Sequence, residues 1–241
     1  MAKTNMYLSE FEMTDPEFKE FFEQFACSEV TGEPGKGLEE RTRYMAILAT
    51  LIGCQGAALY KELLPDALSA GITPVEVKEI GYQATAYLGV GRTYPFLKAT
   101  NEVFEEKKIP LPLSGQSTTN PENRLIRGSQ TQVEIFGQRM KDLYKSGPEE
   151  SRHINCWLAA NCFGDYYTRN GLDYRQREMI TFCFLLAQGG CEPQLKGHID
   201  GNVRVGNDKQ FLINVISQCM PYIGYPRTLN ALNCINEVCT N

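Results

Sequence analysis

Apolar side chains recur at helical spacing along most of the chain, and alternating strand-like runs are nearly absent. Residues 39–53, EERTRYMAILATLIG, set apolar positions behind an acidic first turn, which the helix dipole favours. Thr73-Pro74-Val75-Glu76 combines an N-cap hydroxyl, a proline at the first helical position and a glutamate at N3. That signature predicts a helix running through VKEIGYQATAYLG and stopping at Gly89. Asn207-Asp208 predicts the start of a comparable helix through FLINVISQCMPYIG to Gly224, with Pro221 expected to kink or interrupt it. A further helix is expected from Glu178 to about Gln188, ended by Gly189-Gly190, with Pro193 suiting the first turn of the next. The reading is an all-α fold.

The pattern also repeats. YLGVGRTYPFLKATNEV from Tyr87 aligns without a gap on YIGYPRTLNALNCINEV from Tyr222, at an offset of 135. Upstream, GLEERTRYM from Gly37 matches GLDYRQREM from Gly171 at an offset of 134, so the second copy gained one residue between these anchors. A repeat this long means duplicated domains rather than a solenoid. Residues 1–108 form the first copy, 109–123 a linker rich in Pro, Ser, Thr and Asn, and 124–241 the second copy. The two copies read as tandem all-helical domains.

Composition narrows the chemistry. The net charge is −5 with no Lys/Arg-rich run, which argues against nucleic acid. No apolar run is long enough for a membrane helix, and the N-terminal residues lack the apolar core of a secretory signal. Nine cysteines without a C-x-x-C, several inside apolar helical runs, suggest reduced thiols and a cytoplasmic setting. No ligand spacing supports a metal site, and no cofactor is expected. Charge is uneven: residues 1–110 hold 11 Lys/Arg against 17 Asp/Glu, and residues 111–241 hold 13 against 12. The second half is the easier one in which to seat an anion.

One stretch concentrates reactive side chains, REMITFCFLLAQGGCEPQLKGHIDGNVR from Arg177 to Arg204. Cys191 sits where a helix begins, and unpaired amides there favour a thiolate, so a lowered thiol pKa is expected. His198 follows seven residues later, nearly two turns on and therefore on the same face. Gln194 lies between them on that face. Each residue also has a plain structural reading: a satisfied helical histidine, a packed thiol, an acid answering the helix dipole.

With these motifs stated, the sequence resembles the carboxymuconolactone decarboxylase family within the alkylhydroperoxidase-like superfamily, and specifically its fused two-copy members. The resemblance rests on GLDYRQREMITFCFLLAQGGCEPQLKGHI with PYIGYPRTLNALN, on GLEERTRYMAILATLIG in the first copy, and on PENRLIRGSQTQVEIFG. It implies His198, Glu178 and Cys191 as catalytic residues; Gln194, on their shared helix face, and Arg177 and Arg204, near them along the chain, are the expected substrate contacts. It also implies homo-oligomers, either trimers of fused pseudo-dimers or hexamers. The peroxidase branch carries C-x-x-C-x-x-x-H; its second cysteine falls on Gln194 here, and Glu178 is one residue farther from Cys191 than that branch has it. The expected function is decarboxylation of a small carboxylated lactone or related organic acid by histidine-assisted proton transfer. A thiol-dependent peroxidase using Cys191 and a non-enzymatic oligomeric binding protein are the alternatives. The first copy has no histidine in residues 1–110, and Leu63 or Leu64 stands at the place of His198, so its expected part is packing or walling the second copy's pocket.

Overall fold

The computed structural model describes residues 8–33, 35 and 37–240. The first half runs α1 (Pro16–Glu23), a π turn (Gln24–Glu29), α2 (Val30–Gly32), α3 (Glu40–Gly53), α4 (Ala57–Ser69), α5 (Pro74–Leu88) and α6 (Val90–Glu106). The second half runs α7 (Arg124–Phe136), α8 (Arg152–Trp157) continuing into a π segment (Leu158–Tyr167), α9 (Tyr174–Gln188), α10 (Glu192–Arg204) and α11 (Lys209–Val238). Among the described residues there is no strand, so the architecture is all-α. No helix among them is long and apolar enough to cross a membrane.

The ends of these helices are chosen locally. Thr73 and Glu76 form the capping box that starts α5, and Asp173 with Gln176 forms the equivalent box on α9. Asp208 caps α11 by accepting from the Phe211 amide. Pro221 does not interrupt α11. The break falls at Gly224 (φ 75°), at the place where Gly89 (φ 78°) separates α5 from α6. A proline costs a helix one amide bond, whereas the turn itself needs a positive φ that glycine supplies cheaply. The residue inserted in the second copy lies at the end of α9, because α3 and α9 start 134 residues apart while α4 and α10 start 135 apart.

The two halves share one core. Residues 43–53 of α3 and 177–187 of α9 are all buried, and they pack against each other at the centre. Gly53 makes this possible: a Cβ there would lie 2.7 Å from the Ala187 Cβ and 2.8 Å from the Phe184 carbonyl. The flanking helices then cross over, with α5 of the first copy on α9 and α11 of the second copy on α3. The crossing is reciprocal down to hydrogen bonds. Arg177 Nη1 donates to Gln83 Oε1 at 2.7 Å, and its counterpart Arg43 donates through Nε to Gln218 Oε1 at 2.9 Å. Thr181 meets Gln83 across the same seam at 2.8 Å. A second, smaller cluster of Ile135, Phe136, Cys162, Phe163 and Tyr167 seats α7 on the π segment.

Candidate active site

Glu178 on α9 is fully buried, and α10 brings His198 over it, Nδ1 to Oε2 at 2.8 Å. Gly201 leaves the room for this approach, since a Cβ there would lie 2.5 Å from Glu178 Oε2. Asn202 ties the two helices together: its Nδ2 donates to the Glu178 carbonyl at 2.9 Å and the His198 carbonyl at 2.8 Å. The other carboxylate oxygen, Oε1, accepts from the Tyr167 hydroxyl at 2.8 Å. Having spent its one proton there, Tyr167 accepts from Tyr87 at 2.9 Å and from Thr181 at 2.8 Å. Burial raises both tyrosines well above the ordinary phenol value, so they stay protonated donors at neutral pH.

With Nδ1 held by Glu178, the tautomer follows from that bond and Nε2 is left for chemistry. The ring is wedged edge-on between Tyr87, at 5.3 Å between centroids, and Phe136, at 5.4 Å. It borders a cavity of about 480 Å³ whose walls are mostly apolar. The polar groups are few: His198, Cys191, Gln194, Gln188, Arg139 and Gln132. Gln132 is fully buried, and neither amide atom has a hydrogen-bond partner among the described residues. Arg139 pairs with Asp200, which also accepts from Arg204 Nε at 3.0 Å, so two cations share one acid at this edge. Tyr87 and Ala86 come from the first copy. The histidine-bearing site is therefore walled by both halves.

Comparison with known proteins follows the same outline. The chain matches the carboxymuconolactone decarboxylase family twice, over residues 16–102 and 156–237. The chain belongs to the carboxymuconolactone decarboxylase family. It is 25% identical over 120 residues to a 4-carboxymuconolactone decarboxylase of Acinetobacter baylyi, a span that takes up 49% of this chain and 89% of that protein. A relative of that size corresponds to one of the two family copies.

Within this member of the family, the two copies have diverged at the site. Equivalent positions in the first copy carry Tyr44 for Glu178 and Leu63 for His198, both buried in the core. Gly56 occupies the place of Cys191, and both residues are N-caps, of α4 and α10 respectively.

Three expectations need correction. Cys191 does sit at the α10 N-terminus, but its thiol pKa is raised, chiefly by burial, with Gln188 pulling it down and Glu192 pushing it up. Desolvation is the largest influence on this thiol. Arg177 is no substrate contact: it is fully buried and spent on Glu79, Gln83 and the Arg169 and Asn170 carbonyls. Adjacent to Glu178 in sequence, it points about 100° round the helix, into α5. Arg204 is exposed and lies outside the cavity lining; the arginine in the wall is Arg139. Tyr87, Tyr167, Gln132 and Arg139 escaped the sequence reading. Only Tyr87 carried a signal, as part of the repeated Tyr-Gly motif, where it reads as structural.

Proposed function

We propose that the protein is a decarboxylase-type enzyme acting on a small carboxylated lactone or related organic acid. The observation that carries this reading is the His198–Glu178 pair: a buried carboxylate orients an imidazole whose second nitrogen is free at a cavity. In such a substrate the departing carboxylate sits on a saturated ring carbon, next to a carbon–carbon double bond that is conjugated with the lactone carbonyl. The bond to the carboxylate carbon breaks, CO₂ leaves, and the electron pair passes into the ring as an enolate. Protonated His198 gives its Nε2 proton to the ring carbon and is left neutral, with Nδ1–H still on Glu178; solvent restores the proton. Arg139 in the wall supports a role in holding a further carboxylate of such a substrate, and the unpartnered Gln132 amide a role in donating to the developing enolate oxygen.

The thiol-dependent alternative draws less from this site. The Cys191 thiol is raised rather than lowered, and Gln194 stands where a resolving cysteine would close a disulfide. The test uses 4-carboxymuconolactone, the compound in the name of the Acinetobacter relative, and follows CO₂ release. His198→Ala is expected to lower turnover by at least about a hundredfold while the helical circular dichroism is kept. Unchanged turnover would remove the histidine from the mechanism.

A further inference from the structure

A second cavity, of about 470 Å³, shares no lining residue with the His198 cavity. It lies between α5, α6 and the linker at residues 111–116, with Arg169 entering from the end of the π segment. Its charges do not balance. Glu79, almost wholly buried, serves two arginines: Arg169 Nε reaches both its oxygens, at 2.9 and 3.0 Å, and Arg177 Nη2 reaches it at 3.2 Å. Lys78, buried on the same helix, bonds only the neutral Asn101 side chain and lies 5.6 Å from the Phe104 ring centroid. No carboxylate among the described residues pairs with it. The lining thus holds two cations, Lys78 and Arg169, and one acid that the buried Arg177 also claims.

The two arginines differ in what they leave unused. Arg177 spends Nη1 on Gln83 and Nη2 on Glu79 and backbone carbonyls, and its unpartnered Nε belongs to a fully buried side chain that does not line the cavity. Arg169 commits only Nε, so Nη1 and Nη2 present an unoccupied fork, with its guanidinium held 5.3 Å from the Tyr82 ring centroid. A planar fork beside an ammonium suits a carboxylate, which takes two parallel N–H bonds. The remaining wall sets Val75, Tyr82, Leu111 and Leu113 beside Ser114 and Gln116, which suits a small carbon body that also carries polar groups. The volume also exceeds what a bare inorganic anion fills. We propose that this cavity binds a small organic carboxylate at Arg169 and Lys78, as a site separate from His198.

Calorimetric titration of the full chain at low salt, with benzoate as the probe and inorganic phosphate in a parallel arm, tests the assignment. Wild type is expected to bind benzoate more tightly than phosphate. Lys78→Gln and Arg169→Gln should each weaken benzoate about tenfold or more, the loss of one charge-assisted hydrogen bond. Arg139→Gln, in the other cavity, should leave that affinity unchanged. Should Arg169→Gln fold poorly, Lys78→Gln carries the test alone, since glutamine can still bond Asn101 and removes a buried cation that lacks an acid. Benzoate binding that survives Lys78→Gln, or is lost with Arg139→Gln, overturns the site. So does the absence of millimolar binding to wild type, and tighter binding of phosphate overturns the carboxylate assignment.

Discussion

At the scale of single residues, Cys191 separates the competing chemistries most cheaply. Its raised thiol pKa means less thiolate than a free cysteine at any pH below that value. Alkylation of Cys191 by iodoacetamide, mapped by mass spectrometry, is therefore expected to run slower than that of a free thiol at pH 8, with its inflection displaced to higher pH. A rate equal to or above the free thiol would return the sulfur to the centre of the mechanism. The neighbouring residues show where sequence reading succeeds and fails. His198 was legible from helical spacing and Glu178 only from the resembling motif, and the structure brings the two to 2.8 Å. Arg177 and Arg204 were misread because nearness along the chain is not nearness on a helix face. Gln132 and Arg139 had no periodic or motif signal at all; tertiary packing alone carries them to the cavity.

At the scale of elements, the seat of α7 on the π segment sets the site. Gly128 and Gly164 let the two backbones touch: a Cβ on Gly128 would collide with the Ala159 carbonyl and lie 2.6 Å from the Gly164 amide nitrogen. This contact positions Phe136 against the His198 ring and Tyr167 under Glu178. Gly128→Ala cannot be absorbed by a side-chain shift, because the opposing atoms are backbone. It is expected to lower the melting temperature and to cost turnover more than the stability loss alone explains, as read by thermal denaturation beside CO₂ release. Wild-type stability and rate would show that the seat yields without disturbing the site. The helix ends themselves were written locally in caps and glycines, so α5 and α10 fall close to where the pattern puts them, whereas α9 starts at Tyr174, a turn before the expected Glu178, behind the Asp173–Gln176 capping box. The wide π turns have no such local signature, because they answer packing across elements.

At the scale of the whole molecule, the duplication leaves paired apolar positions outside the core. Val90 and Tyr94 on one side correspond to Tyr225 and Leu229 on the other, and they are between 54% and 66% exposed. Exposed apolar side chains repeated at equivalent places fit contacts with further copies. We propose that the chain assembles through these patches, as its family resemblance implies. Light scattering should then give a multiple of 27.1 kDa, and Tyr94→Glu combined with Leu229→Glu should bring the mass down. A wild-type monomer would remove the proposal.

The crossing of α5 and α11 has a consequence for how such a duplicated gene can change. When one of two copies loses its reactive groups, it ordinarily becomes free to drift or to be deleted. Here it does not, because Gln83 and Tyr87 of the histidine-free half hold Arg177 and Tyr167 in the half that keeps the histidine. Tyr44 and Leu63, which stand where Glu178 and His198 stand in the other half, are themselves buried in the shared core. Constraint in this protein runs along contacts rather than along copies, and the histidine-free half is tied to the pair it helps to hold.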